Sequence, residues 1–159
     1  MIKISNIKSI VTWDIDSNKL VYFNNQSIYL KKEKIFKITS EDLPFEYEID
    51  AENTIITPGF IDCHTHPIFS SNRAKEFNLR TSGATYTEIA SKGGGINDSV
   101  LSLRQEDENS LYESCLNRMD QFLFNGTTTL EAKSGYGLSI DDEIKSLNVI
   151  NRINQNHIL

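Results

Sequence analysis

The rhythm of apolar residues changes at Pro58, and no other feature of the sequence constrains the fold as strongly. Ahead of it, short runs rich in Ile, Val, Tyr and Phe recur about every ten residues: KSIVTWD, KLVYFNN, QSIYLKK and KIFKITS. β-Branched and aromatic side chains suit a pleated, half-buried surface, and Asp-Ser-Asn and Asn-Asn-Gln between the runs mark turns. This spacing predicts a small β-sandwich or meander. EDLPFEYEID reads as an acidic connector containing a proline, and NTIITPGF leads into a more buried strand.

After Pro58 strands and helices alternate. GFIDCHTH reads as a strand ending at Pro67, followed by a long irregular segment to about Gln105. Inside that segment TYTEIASKGGG predicts a short helix, with Thr85 and Glu88 at capping-box spacing and glycines to stop it. EDENSLYESCLNRMDQFLFNG is amphipathic: Leu111, Cys115, Met119 and Phe122, with Leu116 and Leu123, make one apolar stripe. Acidic residues open this helix and Gly126 closes it. TTTLEA reads as a strand, KSGYGL as a glycine-punctuated loop, and SIDDEIKSLNVINRINQN as a helix with Ser139 as N-cap. Strand, loop and helix, twice over, open a parallel α/β fold.

Bulk properties exclude several function classes. With 159 residues, 38% hydrophobic and 24% charged, the chain reads as a globular domain with a real core. A net charge of -6 argues against nucleic acid as a partner. No stretch approaches the roughly 20 apolar residues of a membrane span, and MIKISNIKSI alternates in polarity, unlike a signal peptide. Cys63 and Cys115 lack CxxC spacing, which favours a reduced, cytoplasmic protein and leaves a disulfide open.

Two of the three histidines fall in GFIDCHTHPIF. Residues two apart on a strand face the same side, so His64 and His66 point together, with Asp62, and Cys63 and Thr65 point away. Backbones about 6–7 Å apart let two imidazoles converge on one cation such as Zn²⁺ or Fe²⁺. The alternative is a strand end with partly exposed histidines. Position favours the metal, because functional groups of parallel α/β folds gather at the carboxyl ends of strands.

TPGFIDCHTHPIF resembles the first barrel strand of the amidohydrolase superfamily, whose members bind metal through such a pair. SSNRAKEFNLRTSGATYTEIASKGGGI and GTTTLEAKSGYGL narrow the resemblance to the imidazolonepropionase family, hydrolases of histidine degradation. The resemblance runs from about Asn53 to the C-terminus. It implies the N-terminal part of a TIM-like (β/α)₈ barrel over residues 58–159, preceded over residues 1–57 by strands of a composite β-sandwich. It also implies metal-dependent hydrolysis of the cyclic amide C–N bond of 4-imidazolone-5-propanoate to N-formimidoyl-L-glutamate.

Carried over residue by residue, His64 and His66 would be ligands of one divalent ion, Zn or Fe. Arg73 would hold the substrate carboxylate with its planar fork, and Tyr136 would contact the substrate. The metal would polarise the ring carbonyl and activate water. Tyr86 either reaches this pocket or packs its helix. Glu131 either supports the site or pairs near Lys133. His157 follows the last helix, so it belongs to the amino end of the strands, about 17–20 Å from the site, in a structural or exposed role. Cys63 would face the outer helices as a small apolar residue.

A whole barrel takes about 250 residues. The family's other metal ligands and its acid/base group lie on strands beyond those found here. The expectation is therefore an incomplete chain, inactive alone, whose intact parent takes a small-molecule substrate and forms a homodimer, with no nucleic acid or membrane partner. The rivals are another amidohydrolase, such as a ring deaminase, and a non-catalytic α/β remnant.

Overall fold

A computed structural model describes residues 1–91 and 93–158. The chain divides into two compact units, Met1–Pro58 and Gly59–Leu159.

The first unit holds seven strands: β1 (Ile2–Ser5), β2 (Ser9–Asp14), β3 (Lys19–Phe23), β4 (Ser27–Lys31), β5 (Lys34–Thr39), β6 (Tyr47–Asp50) and β7 (Ile55–Ile56). They form a four-stranded sheet, β5-β4-β1-β6, and a three-stranded sheet, β3-β2-β7. Only β2–β3 and β4–β5 are hairpins of consecutive strands, while β1–β4, β1–β6 and β2–β7 join strands apart in sequence and the last two pairs are parallel, so the unit is no meander. Ile10 of β2 and Ile28 of β4 meet Ile7 in one small core, so the two sheets bury a common face.

The acidic stretch EDLPFEYEID is not all connector. Its second half is β6, in register with β1 through Ile2↔Tyr47 and Ile4↔Ile49. All four β6 residues are exposed. A charged strand at a sheet edge resists pairing with other chains, and its acidic composition hides the alternation. Asn18 and Asn25 take positive φ at turns, as their composition predicts. The two-residue turn between β4 and β5 is built from Lys32 and Glu33, at φ 49° and 61°. That geometry favours Asn-Gly, so nothing in these two residues announces it.

The second unit is built on one parallel pair, β8 (Phe60–Thr65) and β9 (Thr127–Ala132). β8 ends at Thr65, one residue before the end of GFIDCHTH, because Pro67 has no N–H to donate and restricts the residue before it. His66 therefore sits just past the strand. The segment expected to be irregular contains three helices: α1 (Ala74–Thr81), α2 (Tyr86–Ser91) and α3 (Ile96–Gln105). The capping box of α2 forms, with Thr85 N donating to Glu88 Oε2 at 2.8 Å and Glu88 N to Thr85 Oγ1 at 3.3 Å. Lys92, in the glycine-rich stretch after it, lies outside the described residues. α1 buries nothing, which is why apolar periodicity does not reveal it. α3 buries Ser99, Val100 and Leu103, a stripe only one turn long.

Two longer helices complete the unit. α4 (Glu108–Phe124) buries Leu111, Tyr112, Cys115 and Met119. Asp107 caps it by accepting from Asn109 N and Ser110 N at 2.9 and 3.1 Å. α5 (Ile140–Asn156) buries Ser146, Val149 and Ile153, and Ser139 Oγ accepts from Asp142 N. These stripes interlock with Ile68 and Leu103 in the main core of the unit. α4 packs on α5 and β9. β8 keeps an open face, and Cys63 is exposed rather than covered by helices. Both cysteines are free thiols. No helix among the described residues is long and apolar enough to cross a membrane.

Candidate functional site

The carboxyl ends of β8 and β9 are stitched by Thr65, a residue that spacing alone assigns only to the far face. It is 8% exposed, its hydroxyl donates to Glu131 O at 2.8 Å, and its carbonyl accepts from Lys133 N at 2.9 Å. Thr65 thereby fixes the height of the histidines on either side of it. The His64 and His66 rings lie 5.5 Å apart, edge to face. Asp62, expected on the same face, accepts from the His64 backbone N–H at 3.2 Å through Oδ1.

The loop after β9 reaches the same rim. The Tyr136 ring lies 5.9 Å from the His66 ring. Gly135 stands between them at φ 150°, and a Cβ there would come within 3.1 Å of His66 Cε1 and Nδ1. Only a residue without a side chain lets this loop close on the imidazole. Arg73 and Tyr136 share a cleft of about 160 Å³ with Phe69, Ser71, Asn72 and Ser99. Ser71 Oγ is buried there without a hydrogen-bond partner among the described residues. Arg73, Tyr136, His66 and, through His66, His64 thus lie at one end of the parallel pair.

Arg73 is held in place. Its Nε and Nη2 both meet Glu76 Oε2 at 2.7 Å, while Glu76 Oε1 accepts from Gly95 N at 2.6 Å. The Arg73 guanidinium and the Gly95 N–H hold the Glu76 carboxyl below its ordinary pKa. Tyr86, 63% exposed, lies near enough to Arg73 to add to the field that raises its pKa, after the larger effect of the Glu76 hydrogen bond. Arg118 of α4 holds the chain just past His66. Its Nη1 donates to Pro67 O at 2.9 Å and its guanidinium lies 3.6 Å from the Phe69 ring centre. Burial lowers its pKa.

The side chains of the remaining sequence candidates pair elsewhere. Glu131 pairs with Lys133 at 3.2 Å. His157 Nε2 meets Asp120 Oδ1 at 3.2 Å, at the C-terminal end of α5. A groove of about 420 Å³ runs along β9 and α5, away from the histidines, lined by residues such as Leu130, Leu147 and Ile150.

Two imidazoles with rings 5.5 Å apart are donors of the kind that suits zinc or iron, and amount to half of a four-coordinate set. Among the described residues no cluster of three or more His, Cys, Asp or Glu is arranged to hold a metal ion.

Comparison with known proteins bears on the fold and on the sequence. No family model matches the chain. Two solved structures share its fold: guanine deaminase from C. acetobutylicum with bound guanine (TM-score 0.53, 21% identity, covering 95% of this chain and 33% of that one) and zinc-complexed atrazine chlorohydrolase from Arthrobacter aurescens (TM-score 0.54, 18%, covering 95% and 34%). The architecture is a mixed α/β one of the amidohydrolase fold. Sequence goes further. The chain is 45% identical over 151 residues to imidazolonepropionase of Brucella anthropi, 44% over 151 to that of Paracoccus denitrificans, and 42% over 149 to that of Brevibacillus brevis. These alignments cover 92%, 92% and 88% of this chain but 37%, 38% and 35% of the relatives, so the chain spans little more than a third of their length. Over about nine-tenths of its own length the chain is thus similar to imidazolonepropionases.

Proposed function

We propose that this chain is the opening part of an imidazolonepropionase, supplying strands of a composite β-sandwich and the first two βα units of a (β/α)₈ barrel. The intact enzyme, a cytoplasmic homodimer in this reading, hydrolyses the cyclic amide C–N bond of 4-imidazolone-5-propanoate to N-formimidoyl-L-glutamate. The observation that carries the reading is the gathering of His64, His66, Arg73 and Tyr136 at one end of the β8–β9 pair, in a chain more than 40% identical to named imidazolonepropionases.

Each residue has a role that its chemistry suits. His64 and His66 are two ligands of one divalent ion, zinc or iron, whose other ligands belong to the part of the family protein that this chain does not span. When bound, that ion supplies Lewis acidity at the scissile carbonyl. Arg73 offers a planar fork to the propanoate carboxylate, and its tether to Glu76 fixes the fork before substrate arrives. Tyr136 closes the cleft over the ring.

Exposed apolar stripes support the reading of an incomplete barrel. α5 carries a second stripe, Ile140, Ile144 and Leu147, at 80%, 49% and 50% exposure, beside the one it buries. A helix apolar on two faces is built to be covered twice. The isolated chain is accordingly expected to be inactive.

A chimera tests the proposal. Replacing the matching segment of the Brucella anthropi relative with this chain should give an enzyme that forms N-formimidoyl-L-glutamate, and His64→Ala within it should abolish turnover. A folded, metal-loaded chimera that leaves 4-imidazolone-5-propanoate intact, or that releases ammonia from guanine instead, overturns it.

A further inference from the structure

Between them, Gly135 and Tyr136 bring the β9–α5 loop onto the His66 ring, yet the loop has little to hold it there by itself. Gly135 and Leu138, on either side of the tyrosine, both take positive φ, at 150° and 50°. A non-glycine residue such as Leu138 stays in that region only when its surroundings impose it.

The surroundings come from Arg104 of α3, whose Nε donates to Gly137 O at 2.7 Å, and from the first turn of α5. Glu143 Oε1 accepts from Gly137 N at 2.9 Å and from Leu138 N at 2.8 Å. Its Oε2 is buried. Gly137 lies so close to the helix that a Cβ would come within 2.7 Å of Glu143 N. We infer that Glu143 is a positioning residue of the site: its carboxylate clamps the backbone N–H groups of Gly137 and Leu138 and thereby helps set Tyr136 against His66.

A bland alternative exists for any acid in a first helical turn, which interacts favourably with the helix dipole wherever it points. Three observations separate Glu143 from that role. Ser139 already caps the helix. Asp141, in the same turn, is exposed, whereas Glu143 turns inward. Both backbone donors to Glu143 belong to the loop and not to the body of the helix. Burial pushes its pKa up, but the Ser134 hydroxyl and the N–H groups of Leu138, Gly137 and Gly135 oppose that and prevail, so the carboxyl stays below its ordinary value and ionised. An ionised carboxylate has no proton to donate, so it accepts from both N–H groups without conflict. A glutamine in its place keeps one carbonyl oxygen and turns an NH₂ toward donors.

The functional meaning rests on Tyr136 lining the substrate cleft, but the test does not. NMR on the 159-residue chain reads amide exchange at Gly137 and Leu138 and the nuclear Overhauser contact between the His66 and Tyr136 rings. Glu143→Ala should speed exchange at those two amides at least about tenfold, the scale of hydrogen bonds to a charged acceptor, and erase the ring contact. Amides of β9 should keep their protection. Glu143→Gln should keep the ring contact with an intermediate gain in exchange, and Asp141→Asn should change neither. Unchanged loop exchange and an intact ring contact in Glu143→Ala overturn the inference. So does a uniform loss of protection through β9 in both Glu143 variants. If Glu143→Ala does not fold, Glu143→Gln decides by the same loop-against-β9 comparison. Because neither metal nor substrate enters these measurements, a silent chimera leaves this result standing, and an active one does not rescue it.

Discussion

Within the second unit, the long helices and the strands they accompany have opposite fates. Leu111, Cys115 and Val149, where α4 meets α5, are 0%, 1% and 0% exposed. On β8, Phe60 and Ile61 are 62% and 74% exposed, and Cys63 is open as well. The helices bury each other's apolar stripes, while β8 stays largely bare. A parallel sheet is normally covered on both faces and reads as a continuous apolar run, as FIDCHT and TTTLEA partly do. The contrast is therefore between packing that two adjacent helices can complete locally and packing that needs many strands. The site lies at the boundary, on the bare strands' ends but held from the helical side by Arg118 and Glu143.

The two cysteines offer the sharpest way to break that comparison. Burial pushes the Cys115 thiol up to about 11, so at pH 8 only about a thousandth of it is thiolate. Alkylation of the native chain should label Cys63 first, with Cys115 slower by at least about 100-fold until denaturant is added, since an ordinary thiol is about a quarter thiolate at that pH. Protection of Cys63 would mean that the strand face is covered in solution, and the contrast would fall.

Core truncation should give the next largest effect. Leu111→Ala is expected to lower stability by about 2–5 kcal/mol in urea titration, through lost burial and a residual cavity. Ile61→Ala on the bare strand should cost no more than about 0.5 kcal/mol. Equal losses at the two positions would show that β8 is packed after all. Removing the cap of α5 by Ser139→Ala is a smaller perturbation of the helical side, about 1 kcal/mol in the same titration.

Acid sharpens the comparison further. Asp107, which caps α4, is held below its ordinary pKa first by the Ser110 hydroxyl and then by the Ser110 backbone N–H. Glu143, although burial works against it, is likewise held below its ordinary value by donors of the loop. A carboxyl whose folded pKa is depressed stabilises the native state above the unfolded pKa, about 4, and that contribution is lost as pH falls through the folded value. Circular dichroism should therefore show helix stability flat from about pH 7 to 5 and declining below about 4. Glu143→Gln should flatten part of that decline, and a decline that persists unchanged would remove Glu143 from the set of linked groups.

Much of this was legible in the sequence, and the boundary of legibility has a physical form. Periodicity disclosed α4 and α5, because a seventeen-residue stripe repeats often enough to be recognised. Residue chemistry disclosed the Asp-Ser-Asn and Asn-Asn-Gln turns, the Thr85–Glu88 capping box and the Ser139 cap, since each depends on atoms only a few positions apart. Period-two geometry pointed His64 and His66 the same way, and family resemblance singled out Arg73 and Tyr136 as candidates. Short elements escaped: α1 buries no residue, and β6 alternates under an acidic disguise.

Only the tertiary structure decided how the candidates meet. Gly135 closing on His66, Glu76 tethering Arg73 to Gly95, Arg118 gripping Pro67 and Glu143 clamping the Tyr136 loop join residues from separate elements or from across a loop. The exposure of Cys63 is of the same kind, since a strand's covering depends on which helices reach it. Local sequence fixes what each residue can offer within a turn or two, because hydrogen bonds and apolar periodicity act at that range. Which offers are taken up depends on chain segments brought together by packing, and that information resides in no single stretch.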